Sequence, residues 1–145
     1  MHNFLDALEL IQALTPAQPV TLNRPQAATR AAKFFVDRFP GKSLYAVKAN
    51  PSPDLLRVLW NAGITHYDVA SIAEVRLVAE TLPEATLCFM HPVKTPEAIA
   101  EAYHTHGVRV FSLDSREELD KIVAATGAPD DLTLCVRLRV SSEHS

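Results

Sequence analysis

The sequence is poor in glycine, poor in cysteine and without a long apolar run, and each shortage closes off a class of protein. Four glycines in 145 residues leave no collagen-like repeat and no glycine-rich phosphate fingerprint. The two cysteines, Cys88 and Cys135, are too few for a disulfide scaffold. Both sit inside apolar, strand-like runs, where a free thiol serves as a small buried hydrophobe. No stretch reaches the roughly 18–20 consecutive apolar residues of a membrane span, so no membrane partner is expected. Basic charge is not in excess: 14 Lys and Arg against 17 Asp and Glu give a net charge of −3. The charges are interspersed without blocks, which disfavours a nucleic-acid surface. The opening Met-His-Asn-Phe-Leu-Asp has neither the basic nor the apolar segment of a secretion leader, and the expected location is cytoplasmic. No metal site is expected either. His104 and His106 sit two apart, so a helix turns them to different faces, and no further ligands accompany them.

What is present is a regular alternation of helix-like and strand-like stretches in a chain that is 48% apolar. Residues 24–39 place Ala27, Ala31, Phe34, Phe35 and Phe39 near helical spacing, and Pro40-Gly41 stops them. A strand over 43–48 follows. Pro53 then opens a helix with Leu55, Leu56, Leu59 and Trp60 on one face and Gly63 just past its end. After a strand at 66–69, Ser71 with Glu74 three residues on reads as a capping box for a helix reaching Leu82. The alternation continues with strand 86–90, helix 96–104, strand 108–113, helix 115–125 and strand 132–140. All four glycines, Gly41, Gly63, Gly107 and Gly127, fall where a helix should end, a place that favours left-handed backbone.

Strand–helix–strand units with such short connections imply a parallel α/β sheet with right-handed crossovers. Two architectures fit, a doubly wound open sheet or a (β/α)₈ barrel. In the first strand Leu44, Ala46 and Lys48 share a face; in the last, Cys135, Arg137 and Arg139 do. A charged residue ending an otherwise apolar inner face suits a packed barrel whose mouth carries the chemistry. The lack of a glycine-rich turn after the first strand counts against the doubly wound alternative.

Lys48 lies where the first strand meets its loop, in Tyr45-Ala-Val-Lys48-Ala-Asn50-Pro51. Position alone favours a lysine that reaches solvent along an apolar stem. A desolvated lysine at the same place loses its proton more readily, and its neutral amine attacks a carbonyl to form a Schiff base.

The surrounding residues favour the second role. The ordered set Tyr45-Ala-Val-Lys48-Ala-Asn50, His66-Tyr-Asp68-Val-Ala-Ser71-Ile-Ala-Glu74, Met90-His-Pro-Val-Lys94, Phe111-Ser-Leu-Asp114-Ser and Val136-Arg137-Leu resembles the fold-type III pyridoxal-phosphate decarboxylases. That group contains the eukaryotic-type ornithine and the diaminopimelate decarboxylases. The Pro-x-Lys ending at Lys94 looks more like the ornithine or lysine branch. The resemblance implies an alanine racemase-like barrel, with pyridoxal 5′-phosphate held covalently on Lys48 as an internal aldimine. It implies further that Asp68, Glu74 and Arg137 contribute to the cofactor site. Capping explains Glu74 equally well, and a loop or capping role competes for Asp68. For Lys94 the active-site rim and a solvated loop both stand, and His91 is kept as a contact near the mouth.

The implied reaction is decarboxylation of a basic amino acid, ornithine to putrescine in polyamine synthesis, with the small amino acid as partner and full-length relatives acting as homodimers that share an active site. Two other readings stand beside it: a non-catalytic decarboxylase-like binding or regulatory protein, and a single-barrel pyridoxal-phosphate-binding protein or racemase. Five strands fall short of eight. Residues 1–145 are therefore expected to be the N-terminal portion of an incomplete barrel, without the rest of the barrel and a C-terminal β-domain. As a partial piece the chain is expected to be inactive and marginally stable alone.

Overall fold

A computed structural model describes residues 4–140. After a short helix α1 (Ala7–Leu14) and a longer α2 (Pro25–Arg38), strands and helices alternate: β1 (Leu44–Ala46), α3 (Pro53–Asn61), β2 (His66–Val69), α4 (Ile72–Thr81), β3 (Thr86–Phe89), α5 (Pro96–His104), β4 (Val110–Leu113), α6 (Arg116–Thr126) and β5 (Thr133–Val136). All strand pairs are parallel, and their order in the sheet is the order in the chain. A doubly wound sheet reverses its strand order at a switch point. This one never does, and its successive helices pack on one another, α2 on α3 through α5 on α6, along one side. The fold is α/β, a five-stranded arc of a (β/α)₈ barrel.

Local sequence explains where each helix starts. Ser71 and Ser115 accept the backbone N–H of Glu74 and Glu118, and Thr95 that of Ala98, each satisfying a first-turn donor. Proline occupies the first turn of α2, α3 and α5, where its missing N–H costs nothing. Gly127 caps α6 at φ 82°, a left-handed conformation without penalty only for glycine.

The core lies between the sheet and its helices. Tyr67 and Val69 of β2, Leu87 and Phe89 of β3, and Phe111 and Leu113 of β4 alternate onto it. They meet Leu56, Leu59, Val75, Val78, Ile99 and Ile122 from the helices. Each fully buried large side chain contributes roughly 1.5–3 kcal/mol. The Tyr67 hydroxyl donates to the Leu56 carbonyl at 3.2 Å, so its burial leaves no unmet donor. Both sheet ends leave apolar surface open, with Phe34, Phe35 and Phe39 exposed beside β1 and Val136, Leu138 and Val140 exposed around β5.

Four details differ from the sequence reading. The segment 7–14 is helical, with Asp6 as its cap accepting the Glu9 N–H. The last strand stops at Val136 rather than 140, because its partner β4 ends at Leu113. The Arg137 N–H makes the last bond, to the Leu113 carbonyl at 2.8 Å. Gly41 is absent from the left-handed glycines, which are Gly63, Gly107 and Gly127; α2 ends on extended Phe39 ahead of Pro40. Lys48 sits in a 3₁₀ turn, Val47–Ala49, and not on the strand.

Candidate active site

The turn after β1 aims Lys48. Val47 is wholly buried, which anchors the turn in the helix-side core and leaves the neighbouring side chain for the other face. The Tyr45 hydroxyl donates to the Asn50 carbonyl at 3.1 Å, and the Asn50 side chain accepts the Ser52 N–H at 3.0 Å, closing the loop before Pro53. Lys48 thereby joins Asp68, Ala70, Met90, His91 and Arg137 around one cavity of about 330 Å³. The contributing positions are the C-terminal ends of β1, β2, β3 and β5, the end at which barrels of this kind carry their chemistry. The volume lies at the lower end of the roughly 300–1,000 Å³ of small-molecule sites.

Asp68 is the electrostatic centre of the group. Partial burial raises its pKa, while the nearby charges of Lys48 and Arg137 pull it down. A carboxylate flanked by an ammonium and a guanidinium leaves the cavity with an excess of positive charge, suited to an anionic ligand. Deeper on the same inner face, burial and the neighbouring Cys135 and Asp68 push the Cys88 thiol up to about 11. Both cysteines are free.

Of the four residues singled out for the cofactor, Lys48, Asp68 and Arg137 come together. Glu74 stands behind the wall. Its carboxylate accepts the Ala70 N–H at 2.8 Å, and its own N–H donates to the Ser71 hydroxyl at 3.3 Å. Capping geometry therefore accounts for its contacts, and through Ala70 it braces the cavity. His91 does line the site. Lys94 belongs neither to a rim nor to a solvated loop: its side chain is fully buried against Glu118 at 2.9 Å. Glu118 carried no distinguishing sequence signal, because Ser115-x-x-Glu118 has the pattern of a capping box. His104 and His106 are held by Ala125 and Glu101 instead of a shared ligand. A larger cavity, about 580 Å³ between α2 and β1, is walled by apolar side chains apart from Lys42, Ser43 and Tyr45.

The parallel, singly wound sheet, with an amine, a carboxylate and a guanidinium lining one cavity at its C-terminal edge, defines a segment of a (β/α)₈ barrel. Residues 25–145 match the family model described as pyridoxal-dependent decarboxylase, pyridoxal binding domain, and the chain belongs to that family. It is 35% identical over 102 residues to a lysine/ornithine decarboxylase of Selenomonas ruminantium, covering 70% of this chain and 25% of the relative. It is also 32% identical over 96 residues to human antizyme inhibitor 2, covering 66% of this chain and 20% of that protein. Among solved structures, lysine/ornithine decarboxylase complexed with putrescine from Vibrio vulnificus superposes with a TM-score of 0.76 at 31% identity, over 93% of this chain and 38% of that one. The chain thus spans a quarter or less of these curated relatives. No helix among the described residues is long and apolar enough to cross a membrane.

Proposed function

We propose that this chain carries the cofactor-holding part of a pyridoxal-phosphate-dependent decarboxylase that converts a basic amino acid, ornithine, into its diamine, putrescine. The observation behind the reading is the convergence of Lys48, Asp68 and Arg137 on one cavity at the strand ends. The relatives that act on lysine and ornithine support the substrate class. The donor set fits the cofactor: an amine for its aldehyde, and a net positive wall for its phosphate and ring oxygen. Pyridoxal phosphate bound there supplies an electron sink for the bond broken when an α-carboxylate leaves.

The protein's own groups have separable tasks. Lys48 holds the cofactor through its side-chain nitrogen, which must shed a proton before bonding to carbon. Asp68, whose charge interacts with Lys48 and Arg137, balances part of the positive charge around the amine. Arg137 presents a guanidinium to an anionic group of the ligand. Ala70 and Met90 supply the apolar part of the wall. Among the described residues this cavity offers no second carboxylate for a distal ammonium. We therefore assign the five-stranded unit to cofactor binding, and turnover to an assembly with further strands and a partner subunit.

The test is to incubate the chain with pyridoxal phosphate, reduce with borohydride and locate the modified peptide by mass spectrometry. Modification at Lys48, abolished in Lys48→Ala, is the expected result. Modification at another lysine, or none, refutes the reading. The similarity to antizyme inhibitor 2 favours a second reading, a decarboxylase-like regulatory protein, for which the same experiment gives no labelled lysine.

A further inference from the structure

We propose that Lys94 is a positioning residue of the cofactor site: its buried ammonium fixes the loop between β3 and α5 so that Met90 and His91 form one wall of the cavity. The inference rests on the functional reading above and extends it to a residue outside the cavity.

Lys94 is tied to the fold at three points. Its ammonium donates to the carbonyls of His91 at 3.0 Å, Pro92 at 3.1 Å and Ser112 at 2.6 Å, and faces the Glu118 carboxylate at 2.9 Å. Its backbone N–H donates to the same carboxylate at 3.2 Å, and its carbonyl accepts from Lys121 at 2.6 Å. Four acceptors converge on one nitrogen whose side chain has no exposed surface. A charged amine has three N–H donors for them, one being shared, and a neutral amine only two. A planar guanidinium does not match acceptors arranged around a point.

The consequence reaches the cavity directly. Two of its six lining residues, Met90 and His91, have their carbonyls pinned from behind. The Lys94 ammonium holds the His91 carbonyl, and the Ser112 hydroxyl donates to the Met90 carbonyl at 2.6 Å. The Ser112 carbonyl in turn accepts from Lys94, so the loop is clamped to β4 and, through Glu118, to the first turn of α6. His91 is itself exposed, so burial does little to fix it. Its position is inherited from this clamp.

The experiment compares the wild-type chain with Lys94→Met and with Lys94→Met/Glu118→Gln, the second removing both charges so that no lone buried ion opposes folding. The expected result, in whichever variant keeps the native circular dichroism spectrum, is a shift of the His91 ring signals in a ¹H–¹³C spectrum and amide exchange about tenfold faster at His91 and Val93, with Phe89 unchanged. Affinity for pyridoxal phosphate should fall about tenfold, and His91→Ala should add no further loss in the Lys94→Met background. Unmoved His91 signals and loop exchange in a folded variant overturn the proposal, as do additive losses of affinity. If the wild-type chain takes up no pyridoxal phosphate, the functional reading fails, and the His91 signals alone decide the role of Lys94.

Discussion

Replacing Glu118 by alanine tests the buried charge cluster as a source of stability. The carboxylate is almost entirely buried, with one oxygen 2.9 Å from Lys94 and the other 2.6 Å from Lys121. Removing it strands the Lys94 ammonium in the interior, and deleting one partner of a buried pair costs about 3–5 kcal/mol. For a domain of this size the unfolding entropy is roughly 0.3 kcal/mol per degree, so the melting temperature should drop by about 10–16 °C. Urea and thermal unfolding followed by circular dichroism at neutral pH measure the loss. The pH dependence has a definite sign. Burial alone would raise the Glu118 pKa, but hydrogen bonds from Lys121 and Lys94 hold it below the ordinary 4.5. Its contribution is therefore fully present above that value and disappears as pH falls through the lower, folded one. Lys94 behaves oppositely: burial depresses its pKa below 10.5, with Glu118 resisting. Without Glu118 the depression deepens, so Glu118→Ala should regain stability as pH rises toward 10.5. A loss under about 1 kcal/mol at neutral pH, the range of exposed ion pairs, refutes the reasoning.

Three other outcomes rest on the same packing and charge arrangement. Cys88, 3% exposed with its thiol pushed up to about 11, should react with a thiol reagent far more slowly than Cys135 in the native chain, at a rate that matches Cys135 only after denaturation; equal native rates contradict the assignment. Phe111, wholly buried with its ring 6.2 Å from that of Phe89, should cost about 3–5 kcal/mol as Phe111→Ala by urea unfolding, and a loss below about 1 kcal/mol contradicts its place in the core. The Arg76 guanidinium, 2.6 Å away, holds the half-buried Glu101 carboxyl down to about 2. The stabilisation from that pair is present above 4.5 and lost as pH falls through about 2. A carboxyl-detected titration of Arg76→Ala should move the midpoint back toward 4.5, and an unmoved midpoint removes Arg76 as the cause.

Much of the fold was legible because its signals are local. Ser71, Thr95 and Ser115 cap through their own side chains, Pro53 and Pro96 start helices through a fixed φ, and alternation in Tyr67 and Val69 or Leu87 and Phe89 separates core face from inner face. The helix at Ala7–Leu14 leaves little trace in the hydrophobic pattern, although Asp6 and Glu9 mark its start. A length of eight residues gives periodicity little room to register.

The sequence by itself determined the α/β alternation and the family. These follow from residue order and from bonds spanning only a few positions. The tertiary structure alone decided that Lys48 stands on a 3₁₀ turn, that strand order never reverses, and that Lys94 is buried. Each depends on partners far along the chain: β1 finds β2, β5 stops where β4 stops, and Lys94 meets Ser112 and Glu118, 18 and 24 residues away. A lysine followed by a threonine and a proline looks solvated until the strand and helix that enclose it are in place. Burial and charge pairing are properties of that enclosure, not of the residue.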